Sequence, residues 1–154
     1  MSRGFEVVAD KHRVHKEAII NLPRRGTACS AGYDIYTPAR IVIGPRGLSE
    51  LIFTDIKAYM EPDEVLELHV RSSIGFKVGC ILANCTSIID SDYYNNPNND
   101  GNICFRLKNL TDAPVIIEAG ERIMQGIFKK YLIVDNDEPV RQIRTGGVGS
   151  TGTK

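Results

Sequence analysis

Residues Glu64–Val70, EVLELHV, carry the reading on which the fold turns. Val65, Leu66, Leu68 and Val70 include an apolar row at i, i+2, the spacing that puts side chains on one face of a half-buried strand. Similar short runs of β-branched and apolar residues recur on both sides, at 5–8, 41–43, 48–56, 80–82, 103–107 and 114–117, separated by Gly, Pro, Asn and Asp clusters. This is the sequence habit of an all-β chain, and it predicts a sandwich or jelly roll.

Two stretches read less simply. Residues 72–77 suit a short helical turn, with Ser72 or Ser73 as the cap that accepts from unpaired backbone N–H groups. Residues 122–134 hold enough apolar side chains for a helix, but Ile127, Phe128, Tyr131, Ile133 and Val134 favour a strand. Residues 145–154 include four glycines and almost no apolar mass, so they cannot form core and are expected to be a flexible tail. With no linker and no internal repeat, all 154 residues are read as one domain. A domain of this size buries roughly 70% of the surface its unfolded chain exposes, so it needs no covalent staples.

Charge and composition remove several function classes. Lysine plus arginine and aspartate plus glutamate balance at nineteen each, which gives no basic footprint for nucleic acid or a membrane surface. Cys29, Cys80, Cys85 and Cys104 form no CxxC pair and are expected to be buried free thiols. His12, His15 and His69 lack closed-site zinc spacing. The first residues contain no apolar run of about 7–15 residues, as a signal peptide requires, and no stretch reaches roughly 20 apolar residues. A cytoplasmic protein is the expectation.

Four pieces of sequence are candidates for chemistry. In IIDSDY, Ile88 to Tyr93, alternation along a strand sends Asp90 and Asp92 to one face, where their charges repel unless paired or solvated. One such acid, beside a phosphate-bound metal, can take a proton from water. In VRSSIGFK, Val70 to Lys77, an arginine at a strand end stands beside two hydroxyls, an anion site in outline. AGYDIY, Ala31 to Tyr36, and GERIMQ, Gly120 to Gln125, look structural when taken singly. Read alone, the aspartates are turn chemistry and the serines a capped turn. GxxxxGK[ST], GxGxxG and GxSxG are all absent.

Taken in order, AGYDIY, VRSSIGFK, NCTSIIDSDYY, GERIMQ and GGVGSTG resemble the five motifs of the homotrimeric dUTPase family, of bacterial or phage type, and span Ala31 to Gly152. The resemblance implies a jelly-roll subunit, a homotrimer with active sites at subunit boundaries, and Mg2+-assisted hydrolysis of dUTP to dUMP and pyrophosphate. Within it, Asp90 is the general base for water attack on the α-phosphorus. Tyr93 packs on the deoxyribose and refuses a 2'-hydroxyl, Asn84 lies near uracil, and the backbone of Ile88 and Ile89 reads the base edge. Arg71, Ser72, Ser73 and Gln125 correspond to phosphate contacts, and Asp34 to the acid that holds Mg2+ through water. Arg144, with Arg141 as second choice, corresponds to the γ-phosphate arginine, and Gly149, Ser150 and Thr151 to the phosphate-wrapping tail.

The chain departs from the family pattern in three places, the first being that the tail arginine usually sits one position farther from the glycines than Arg144 does. Val148 stands where the tail usually has a phenylalanine, leaving Tyr94 or Phe76 as candidate aromatic covers. The glycine expected just after the tyrosine is delayed to Gly101, so residues 94–100 are read as an exposed turn that covers the pocket. A dCTP deaminase is the nearest alternative enzyme, but ICFRLK, Ile103 to Lys108, lacks the acid its chemistry needs. A non-catalytic jelly-roll module is the other alternative.

Overall fold

A computed structural model describes residues 2–139, 144, 146 and 147. The strands are β1 (Gly4–Val7), β2 (Arg24–Arg25), β3 (Tyr33–Tyr36), β4 (Ile41–Ile43), β5 (Ile52–Phe53), β6 (Ile56–Tyr59) and β7 (Glu64–Val70), then β8 (Cys80–Leu82), β9 (Ser87–Asp90), β10 (Cys104–Phe105), β11 (Leu107–Asn109), β12 (Val115–Ile117) and β13 (Arg122–Lys130). One antiparallel sheet runs β2-β3-β13-β7-β9, and four two-stranded pairs, β1-β6, β5-β10, β8-β11 and β4-β12, complete the jelly roll.

The EVLELHV strand lies inside the large sheet, where both of its faces are largely covered. Leu66 and Leu68 are fully buried, packed with Ile35, Leu82, Leu107 and Met124. Its neighbour β13 pairs with it from Met124↔Val70 to Lys130↔Glu64, which settles residues 122–130 as strand. The strand stops there, four residues short of the expected end; Leu132, Ile133 and Val134 project from the surface, Leu132 at 97% exposure. Gly126 lets β13 pass the core closely, because a Cβ on it would lie 2.9 Å from Leu66 Cδ1.

The expected strand at 48–56 is broken into β5 and β6. Asp55 takes a left-handed φ of 57°, and its buried carboxylate accepts the backbone N–H groups of Val14 and His15 and the Asn102 side-chain amide. β5 and β6 therefore pair with different partners, β10 and β1. The run at 103–107 is likewise divided, into β10 and β11, at Arg106, which reaches across to the Ser49 carbonyl.

The helical turn expected at 72–77 spans Ser73–Val78 and closes through the Gly79 N–H to the Ile74 carbonyl, the wide i to i+5 spacing. Ser72 holds the capping position, yet neither it nor Ser73 caps the turn: no side-chain cap hydrogen bond forms. The Gly75 N–H instead finds the Arg71 carbonyl. The cysteines are free, but burial applies fully only to Cys80, whose thiol it pushes up in pKa; Cys104 is half-buried, and Cys29 and Cys85 are exposed. Among the described residues no helix is long and apolar enough to cross a membrane.

Candidate active site

The sheet places the motif residues in two separate pockets. β9 runs antiparallel to β7, pairing Asp90 with Val65, so Ile89 faces the core while Ile88 is open to solvent. Beyond Asp90 the chain tightens into a turn, Ser91–Tyr93, which buries the Tyr93 ring. Asp92 therefore belongs to a turn and not to the strand, and the two acids meet through a cation instead of through strand alternation. Arg144 Nη2 lies 2.5 Å from Asp90 Oδ2 and its Nε 2.9 Å from Asp92 Oδ1, with the guanidinium 5.8 Å from the centre of the Tyr93 ring. A cavity of about 170 Å³ opens here, walled by Asn84, Ser87, Ile88, Ile89, Tyr93 and Cys104. Burial raises the pKa of the Tyr93 phenol, partly offset by a hydrogen bond from Asn99, and burial also pushes the Cys104 thiol up.

The second pocket, about 350 Å³ and polar, is built from β3, β13 and the end of β7. Asp34 and Gln125 are cross-strand partners, and Arg71 emerges where β7 ends. Arg71 Nε contacts Asp34 Oδ1 at 2.8 Å and Arg122 Nη1 contacts Asp34 Oδ2 at 3.1 Å, so one buried carboxylate orients two guanidinium groups. Gly32, of the AGYDIY stretch, lies against Gln125: a Cβ there would stand 2.5 Å from Gln125 Oε1. Ser72 lines this pocket, and Ser73 begins the turn beside it. Two guanidinium groups, a hydroxyl and an amide around one opening suit a polyanion.

These pockets share no residue. Val65, the partner of Asp90, and Arg71 are six residues apart on an extended chain, about 20 Å at the usual strand rise. The expected residues thus fall into two groups: Asn84, Ile88, Ile89, Asp90, Tyr93 and Arg144 in one, Asp34, Arg71, Ser72, Ser73 and Gln125 in the other. Gly149, Ser150, Thr151, Val148 and Arg141 lie outside the described residues. Arg122, Cys104 and Asn99 were not anticipated from sequence, although Arg122 lies inside GERIMQ and Asn99 inside the 94–100 turn.

Within one copy, neither expected cover lies over the slot. Residues 94–100 do not arch over the cavity. They fold toward β1 and β6, with Lys57 Nζ on Asp100 and Asn95, the Tyr94 hydroxyl donating to Glu6 and the Tyr94 ring against Tyr59. Asn96 is buried rather than exposed, because its side chain accepts the N–H groups of Asn98 and Asn99. Tyr94 is therefore no lid over its own pocket. Phe76, 89% exposed, projects from the turn after Arg71 and is not part of the slot beside Tyr93.

Fold and site together define a jelly-roll protein that carries a carboxylate-edged slot and, on a separate edge, a guanidinium-lined anion pocket. The family model described as dUTPase matches residues 18–153. The chain is 48% identical over 151 residues to a deoxyuridine 5'-triphosphate nucleotidohydrolase of Lactococcus lactis, covering 97% of each. The crystal structure of dUTPase from Streptococcus mutans superposes with a TM-score of 0.74 at 44% identity, covering 86% of this chain and 99% of that one. A Staphylococcus bacteriophage 80alpha dUTPase shares the fold at 21% identity and a TM-score of 0.66, covering 99% of both chains. The chain belongs to the dUTPase family.

Proposed function

We infer that the chain hydrolyses dUTP to dUMP and pyrophosphate at a site assembled from the slot of one copy and the anion pocket of another. The observation that carries this reading is the separation of the two groups by about 20 Å along β7. A base that acts at the α-phosphorus and an arginine that grips the phosphates of the same nucleotide must lie much closer than that. A homotrimer supplies both from neighbouring subunits.

In this arrangement uracil and deoxyribose occupy the slot. The backbone of Ile88 and Ile89 reads the base edge, Asn84 borders the base, and the Tyr93 ring fills the space a 2'-hydroxyl needs. Asp90 takes a proton from water as its oxygen bonds to the α-phosphorus and the bond to the bridging oxygen breaks, so pyrophosphate leaves. Arg71, Ser72, Ser73 and Gln125 of the neighbouring copy hold the phosphates. Arg144, paired with Asp90 and Asp92 in the free chain, transfers to the γ-phosphate, followed by Gly149, Ser150 and Thr151.

Among the described residues no three metal-ligating side chains stand together, and both Asp34 oxygens face guanidinium groups. Asp34 would hold Mg2+ through water rather than by direct ligation, since both of its oxygens are already shared with guanidinium groups. Bound Mg2+ supplies charge neutralisation on the phosphates. The free thiols suit a reducing cytoplasm.

The test is pyrophosphate release from dUTP, UTP, dCTP and dTTP with Mg2+. The expected result is turnover of dUTP far above the other three, and equal rates on all four refute the assignment.

A further inference from the structure

The insertion at 94–100 has no part in the chemistry above, yet its hydrogen bonds converge on Tyr93. The phenol hydroxyl donates to the Asn102 carbonyl at 2.8 Å. A carbonyl can only accept, so the phenol oxygen is left to accept from Asn99 Nδ2 at 2.7 Å. The orientation of that amide is fixed by chemistry. Asn99 Oδ1 accepts the Gly101 backbone N–H at 3.1 Å, which leaves Nδ2 as the group facing Tyr93.

Asn96 holds Asn99 in turn. Its Oδ1 accepts two backbone N–H groups, from Asn98 and Asn99, and its Nδ2 reaches Asn99 Oδ1 at 2.7 Å and the Tyr93 carbonyl at 2.9 Å. Gly101, at φ 83°, closes the loop where a Cβ would stand 2.8 Å from that carbonyl. The far side of the loop is pinned by Asp100, which accepts from Lys57 Nζ and the Ala9 N–H. Donor and acceptor positions of the phenol are both filled, so the ring cannot tip without breaking both bonds.

We infer that Asn99 is a positioning residue for Tyr93, and that through it the insertion sets how sharply this enzyme refuses a ribonucleotide. The inference rests on the reading of Tyr93 as the sugar filter. Exclusion by shape depends on where the ring stands, and the insertion is what holds it there.

The test compares kcat/KM for dUTP and UTP in wild type, Tyr93→Ala, Tyr93→Phe, Asn99→Ala and Asn99→Asp. Asn99→Asp keeps the acceptor for Gly101 and Asn96, so the loop stays folded, but loses the donor to Tyr93. Loss of one such hydrogen bond predicts a roughly fivefold fall in the dUTP/UTP ratio for both Asn99 variants, seen as a gain on UTP. In the Tyr93→Phe background, Asn99→Asp should leave the dUTP/UTP ratio unchanged, because it keeps the bonds to Gly101 and Asn96 and has no phenol to lose. If Tyr93→Ala leaves the ratio unchanged, the sugar-filter reading falls and this inference with it. If Tyr93→Ala lowers the ratio while both Asn99 variants keep the wild-type value, this inference alone is overturned.

Discussion

Replacing Gly32 by alanine tests whether the AGYDIY stretch acts by giving Gln125 room. The added Cβ would stand 2.5 Å from Gln125 Oε1 and 2.9 Å from Gln125 Cβ, against about 3.4 Å for ordinary contact. Rotation of the side chain relieves the first overlap. It cannot relieve the second, because that atom is attached to β13 between two paired strands, opposite Asp34 and His69. Overpacking of this kind costs about 1–3 kcal/mol. The melting temperature should fall by roughly 2–4 °C for each of those kcal/mol when compared at equal protein concentration.

The same displacement takes the Gln125 amide away from the anion pocket. Loss of one hydrogen bond to a charged group, about 1.5–3 kcal/mol, predicts a fall in kcat/KM for dUTP of roughly 10- to 100-fold. Thermal unfolding and steady-state kinetics on Gly32→Ala, Gln125→Gly and the double variant separate the clash from other effects. The alanine should be nearly harmless to stability once Gln125 is glycine, a coupling of at least about 1 kcal/mol. If Gly32→Ala destabilises equally in both backgrounds, the contact with Gln125 is not what the glycine serves.

Asp90→Asn fills the same space without a proton acceptor, so turnover should drop about 10²- to 10⁴-fold while calorimetry still detects binding of a non-hydrolysable dUTP analogue; near-normal turnover removes Asp90 as the base. Inactive Asp90→Asn and Arg71→Ala chains, unfolded and refolded together, should regain activity, because some mixed interfaces join an intact Asp90 to an intact Arg71. No recovery in a confirmed mixed oligomer argues for a site within one chain. Asp100 is partly buried, which raises its pKa, but the Ala9 N–H and the Lys57 ammonium outweigh burial and hold it below the ordinary value. Its stabilisation is therefore present above the ordinary carboxylate pKa and lost as pH falls through the lowered value. Asp100→Asn should cost about 1–2 kcal/mol at neutral pH, with the gap to wild type closing as pH falls below the ordinary carboxylate range; a gap that never closes in acid contradicts the pairing.

Local pattern was enough for the strands whose partners agree with it. β4, β7 and β8 coincide with their apolar runs because side-chain alternation and pairing demand the same residues. It misled at 48–56, where the apolar run continues through Asp55 but the backbone cannot. The carboxylate of Asp55 is needed by Val14 and His15, some forty residues away, and that requirement has no signature near position 55. The overrun at 131–134 has a related cause: apolar character continues after Lys130, but the ladder with β7 ends at Lys130↔Glu64, and a single backbone bond from the Tyr131 N–H to the Asp63 carbonyl follows it.

The site shows the same division between residue identity and arrangement. Ordered motifs placed Asp34, Arg71, Asp90, Tyr93 and Gln125 on one list, and the chain topology then sorted them onto opposite ends of β7. Sequence order carries no information about that separation, since β13 brings Gln125 back beside Asp34 from ninety-one positions away. Residues 94–100 show the reverse case. Their Asn, Pro and Asp content reads as solvent-facing turn, and Asn95 and Asn98 are exposed, yet Asn96 and Asn99 turn inward to bond backbone, each other and the Tyr93 phenol, because asparagine satisfies buried polar groups as readily as water does. What composition marks as polar is therefore not the same as what the fold leaves exposed, and in this chain the difference falls on the loop that braces Tyr93.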